Sequence, residues 1–133
     1  MARTRFLIEA FGKIVLASGL LALSSGISRA DVDCNSIVAC TILHPEGYYQ
    51  PGFQANITGS FRVAADIFLD ATCQTLFDTP TAEGGPYLGV VTFEYGLDPP
   101  MMSGDVVSWK VRFDGCPETD CRAEVAGTDI CQE

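Results

Sequence analysis

Six cysteines, Cys34, Cys40, Cys73, Cys116, Cys121 and Cys131, all fall in the last hundred residues of a 133-residue chain. An even cysteine count in so short a chain reads as a disulfide framework if the chain reaches an oxidising compartment. The N-terminus supplies the route. Arg3, Arg5 and Lys13 are basic, residues 14–23 form an apolar run, and Ser28-Arg29-Ala30 places small residues at the −3 and −1 positions of a cleavage site. This layout predicts a secretory signal peptide over 1–30, because the run is too short to span a bilayer. Residues 31–133 are then a single disulfide-stabilised domain. It would be extracellular, or periplasmic in a bacterium.

Six cysteines allow fifteen pairings. Spacing favours two local bridges, Cys34 with Cys40 and Cys116 with Cys121, which leaves Cys73 to join Cys131. Zinc sites usually carry C-x2-C pairs or a Cys/His mixture, and neither pattern occurs. No metal and no cofactor is expected.

Losing residues 1–30 removes four of the eight basic side chains and one of the seventeen acidic ones, leaving a net charge of −12. That charge excludes nucleic acid as a partner and disfavours anionic membranes once the leader is gone. It favours a cationic protein surface.

Residues 32–43 hold the first two cysteines and are expected to contain one strand. His44-Pro45-Glu46-Gly47 reads as a turn, and Tyr48, Tyr49 and Phe53 sit in an aromatic-rich loop over 48–53. Residues 59–74 admit two readings. As a strand, Phe61, Val63, Ala65, Ile67, Leu69, Ala71 and Cys73 share one face. As a helix, Arg62, Asp66, Asp70 and Gln74 form a polar stripe behind a Ser60 N-cap. The one-sided apolar set favours the strand. Residues 79–86 read as a loop and 87–95 as a buried strand. Val107, Trp109, Val111 and Phe113 alternate with Ser108, Lys110, Arg112 and Asp114, which is the pattern of a strand with one wet face. Residues 122–125 suggest a last short strand. The whole predicts an all-β fold, with a helix at 60–75 as the alternative. Its form would be a small antiparallel sandwich or barrel stapled by disulfides.

Thr58-Gly59-Ser60-Phe61 with Val63, Ile67 and Cys73 resembles the first strand of spore-coat-U-type secreted pilin subunits. Phe93-Glu94-Tyr95-Gly96 is similar to the short aromatic–glycine strand that follows there. The similarity covers about twenty residues, and it implies an immunoglobulin-like β architecture.

Catalytic chemistry finds little support. The single histidine, His44, precedes Pro45 in a turn and reads as a loop residue without a role. No G-x-S-x-G motif occurs, so no enzyme is expected. Asp66 and Asp70 share a face under either reading, but sixteen acids in 103 residues make such pairs common. Glu94 stands out, because a carboxylate within an apolar strand must be paired or have a raised pKa. Asp114, Glu118 and Asp120 cluster around the last cysteines. They read as a rigid acidic loop for recognition rather than a calcium site. Asn56-Ile57-Thr58 is a glycosylation sequon. Tyr48 and Tyr49 are the candidates for stacking on a glycan.

These features predict a secreted, non-catalytic recognition module of inhibitor or effector type that binds a protein partner through Asp114, Glu118 and Asp120. The alternative is a structural subunit of a surface appendage or coat. A carbohydrate-binding module ranks third.

Overall fold

The computed structural model describes residues 6–10, 13–14 and 31–132. The expected cleavage site and, Ile14 excepted, the apolar run of the leader lie outside the described residues. Eight strands are described: β1 (Phe6–Ala10), β2 (Lys13–Ile14), β3 (Val38–Leu43), β4 (Tyr49–Phe68), β5 (Leu76–Asp78), β6 (Thr81–Tyr95), β7 (Val106–Phe113) and β8 (Arg122–Val125). A 3-10 turn at Cys34–Ser36 precedes β3, capped by the Asp33 carboxylate accepting from the Asn35 amide.

All strands join one antiparallel sheet with the path β1-β6-β4-β7-β8. β4 spans 20 residues and organises it. Its first third pairs with β3 and its last third with β7, while β6 follows it from Gly52 to Ala64. The sheet curls, and the segment after β8 closes it. There the Thr41 amide donates to the Asp129 carbonyl at 2.6 Å, and the Cys131 amide donates to the Thr41 carbonyl at 2.9 Å.

Alternation explains the core. Phe53, Ala55, Ile57, Phe61, Val63, Ala65 and Ile67 of β4 point inward with Val91, Phe93 and Tyr95 of β6 and Trp109, Val111 and Phe113 of β7. Phe53 stacks on Phe93 with ring centroids 4.7 Å apart and meets Trp109 edge-on at 5.2 Å. Such aromatic pairs add about 0.5–1.5 kcal/mol each beyond simple burial.

The strand reading of 59–74 is therefore correct as far as Phe68, and the helix alternative is not. Beyond Phe68 the chain turns. The Asp70 carboxylate accepts from the Thr72, Gln74 and Thr75 amides, and Ser108 Oγ ties the turn to β7 through the Asp70 carbonyl and the Cys73 amide. These bonds hold the Asp70 carboxyl down at about 2. Its contribution is present above the ordinary carboxylate range and is lost as pH falls towards that value. Asp70→Ala should therefore speed hydrogen exchange at Thr72, Gln74 and Thr75 while leaving the β7 amides protected. Unchanged exchange in the turn would show that the carboxylate does not hold it.

Three expectations need correction. Residues 48–53 are not a loop, because β4 begins at Tyr49 and Pro51 and Gly52 lie inside it. Residues 81–86 are not a loop either. β6 starts at Thr81, and Gly85-Pro86 is absorbed as a bulge opposite Ser60, where the β4–β6 register shifts. Gly85 is required there, since its φ is +112° and a Cβ would lie 2.7 Å from the Gly59 carbonyl oxygen.

The disulfides are the third correction. The bridges are Cys34–Cys116, Cys40–Cys131 and Cys73–Cys121, with no free cysteine among the described residues. None of the pairs suggested by spacing forms. Cys34 lies before β3 and Cys40 within it, and each faces a different distant segment.

Candidate functional site

The acidic loop is fixed at both ends and in its middle. β7 ends at Phe113, and the next residues are held by the Asp114 amide donating to the Arg62 carbonyl and the Cys116 amide donating to that of Phe113. Thr119 folds back onto β7: its amide donates to the Val111 carbonyl and its hydroxyl accepts from the Val111 amide, at 3.0 and 2.9 Å. Cys116 then ties the loop to the Cys34 turn, and Cys121 ties it to the 69–75 turn through Cys73.

Arg112 organises the charge behind the loop. Its guanidinium donates to both Asp66 oxygens, at 2.8 and 3.2 Å, and to Glu118 at 3.0 Å. These carboxylates push the Arg112 pKa up, and the hydrogen bond from Arg112 is the main cause that holds the Asp66 carboxyl below its ordinary value. Arg62 lies 3.3 Å from Glu83 and 4.0 Å from Asp114. A groove of about 600 Å³ runs along this face between Arg62, Arg112, Phe113 and Asp114.

Asp114, Glu118 and Asp120 are all exposed along the ridge formed by residues 114–121, Asp114 beside Arg62 and Glu118 beside Arg112. Among the described residues Asp120 makes no ion pair. Three of the four basic residues beyond position 30, Arg62, Lys110 and Arg112, share this sheet face, because residues 62, 64 and 66 of β4 alternate outward, with Ala64 opposite Arg112 and Asp66 opposite Lys110 of β7.

The other candidates are placed apart from it. Tyr48 stacks on the His44 ring at 4.7 Å. Tyr49 packs against the small cluster of Met101, Val107 and Ala126, and Phe53 is wholly buried. Asn56 is exposed on β4, and its amide donates to Ser36 Oγ.

Two polar arrangements are also present. Glu94 is 4 % exposed, and its Oε2 lies 2.6 Å from His44 Nε2. The expected partner for a carboxylate in an apolar strand is therefore the histidine read as a loop residue without a role, and that reading is corrected. Glu124 was not legible as special. It is fully buried on β8, accepting from the Trp109 indole N–H and, at 3.3 Å, from the Gly52 amide. Burial pushes its pKa well up. No sequence signal marked it: Ala123 and Val125 lie on the opposite face of β8, so alternation alone would turn them inward and leave Glu124 in solvent, whereas Ala123 is the exposed residue.

Among the described residues no group of three His, Cys, Asp or Glu converges to hold a metal ion. No family model, curated protein or solved structure matches the chain.

Proposed function

We propose that the chain is exported and acts as a non-catalytic recognition module that presents the 114–121 ridge to a cationic protein partner. The observation that carries this reading is the double anchoring of the ridge, with Cys116 bridged to Cys34 and Cys121 to Cys73. A loop fixed at both ends gives up little conformational entropy on binding, so more of its contact energy appears as affinity. Asp114, Glu118 and Asp120 point to solvent from this scaffold, and the net charge of the exported domain would steer a basic partner to it. Three disulfides in a small domain are consistent with an oxidising destination.

The test compares the parent with the variant carrying Asp114→Ala, Glu118→Ala and Asp120→Ala. Both would be measured by surface plasmon resonance against a panel of small basic secreted proteins over a salt series. The parent should bind at least one member, with affinity falling as salt rises. The triple variant should bind it at least tenfold more weakly and with a flatter salt slope. Equal affinity would move the binding surface elsewhere, and binding insensitive to salt would refute a cationic partner.

A further inference from the structure

One edge of β6 is covered by residues that belong to the expected leader. Phe6–Ala10 pairs with it from Tyr95 to Val91. Lys13–Ile14 continues in the same register, opposite Leu88 and Tyr87. β4 occupies the other edge over this stretch. Cleavage after Ala30 would remove the covering residues and leave a nine-residue strand edge with unpaired backbone donors and acceptors.

Edges that remain single are normally protected by charge, proline, a bulge or short length. Residues 87–95, YLGVVTFEY, contain neither Lys nor Pro. Their one charged residue, Glu94, is buried and held by His44. Leu88 and Val90 leave 51 % and 40 % of their surface exposed on this stretch. The other edges are different. β8 has only four residues and includes Arg122, and the outer edge of β3 is paired at Thr41 by the segment after β8.

We infer that in the processed chain this edge pairs with the same edge of a second copy, forming a two-fold dimer through β6. A two-fold axis sets the two β6 strands antiparallel, the arrangement this edge makes with Phe6–Ala10. The contact is self-complementary, so it closes at two copies. Full overlap of the nine residues places the axis at Val91, with Tyr87 facing Tyr95 of the second copy. Val90 then lies beside the axis, diagonal to Val90 of the second copy. This dimer shares only the loss of the leader with the recognition reading, and the 114–121 ridge takes no part in it.

The full chain would be expressed with its own leader in a host that exports to an oxidising compartment. The exported protein would be identified by intact mass and examined by sedimentation equilibrium over a hundredfold concentration range. The parent should sediment as a dimer. Val90→Lys sets two ammonium groups about the axis, and Leu88→Glu sets a second carboxylate opposite Glu94 of the other copy. Each should weaken dimerisation at least tenfold while keeping three disulfides and the parent's circular dichroism. Val38→Lys, at a 54 %-exposed position of β3, should dimerise like the parent, and so should the triple-alanine ridge variant. The inference is overturned by a monomer at every concentration or by a mass that grows past two copies. It is equally overturned by folded β6 variants that dimerise unchanged, or by an exported chain that retains residues 6–14.

Discussion

Glu124→Ala should destabilise the protein by about 3 kcal/mol near pH 5, and Glu124→Gln should remove a pH dependence that the parent shows. The alanine leaves the Trp109 indole N–H and the Gly52 amide without their acceptor in a buried site. Each orphaned donor costs about 1–3 kcal/mol, and the vacated volume adds to that. The pH effect follows from burial, which raises the Glu124 pKa. The two hydrogen bonds pull it down, and the charge of Asp129 raises it further. Above the ordinary carboxylate range the unfolded chain has released a proton that the folded chain keeps. Stability therefore falls as pH rises, by up to about 1.4 kcal/mol per unit, until the raised value is passed. Glutamine can accept from Trp109 but not from Gly52, so it should cost about 1 kcal/mol at low pH. It carries no proton to lose, and the gap to the parent should close as pH rises from 4.5 to 8. Asp66 and Asp70 are held below the ordinary range, so their contributions change only at lower pH. Chemical denaturation of the three proteins across this window is the measurement. A gap that stays constant would mean that Glu124 is already ionised in the fold.

The parts of the fold that were legible are those where one face is wet. Val107, Trp109, Val111 and Phe113 alternate with polar residues and are all buried, at 3 % or less. The same rule placed Phe61, Val63, Ala65 and Ile67. It failed where Gly and Pro were read as breaks. Pro51 sits within β4 opposite Thr41, and its neighbour Gly52 spends its amide on Glu124. Gly85-Pro86 became a bulge for a similar reason: a long curled strand needs places to bend, and glycine and proline supply them without ending the pairing.

The candidate site was legible only in its local part. Asp114, Glu118 and Asp120 are close in sequence and all three are exposed on one segment. What steadies them is not close: Asp66 lies 46 residues before Arg112. His44 and Glu94 are 50 residues apart, and Trp109 reaches Glu124 across 15. These pairings follow from strand register, which residue types alone do not specify. The rule that a carboxylate in an apolar strand needs a partner was sound for Glu94, but it could not name His44.

Replacing Cys40 and Cys131 together with serine should cost about 4 kcal/mol and lower the melting temperature by about 20 °C. The bridge spans 91 residues, so the open chain gains considerable entropy when it is cut. Proximity in sequence misled the pairing because it counts only the entropy of closing a loop. The fold decides which sulfurs meet, and Cys40 on β3 meets the segment that closes the sheet. Without the bridge the segment's hold on β3 and β4 rests on two backbone bonds at Thr41, the Thr41 hydroxyl on Asp129, and the bonds between Gln54 and Gln132, while Asp129 stays tied to Val125 of its own β8 end. Thr41 should then be among the first amides of β3 to exchange. Cys73 and Cys121 are 48 residues apart, for which chain entropy alone gives a loss only about 0.6 kcal/mol smaller. Asp70 and Ser108 also hold the Cys73 turn independently. The Cys73→Ser, Cys121→Ser variant should therefore melt distinctly above the Cys40→Ser, Cys131→Ser variant. Thermal unfolding of the two by circular dichroism decides it. If they melt together, loop entropy alone sets the worth of each bridge, and the closing segment contributes little to holding the sheet.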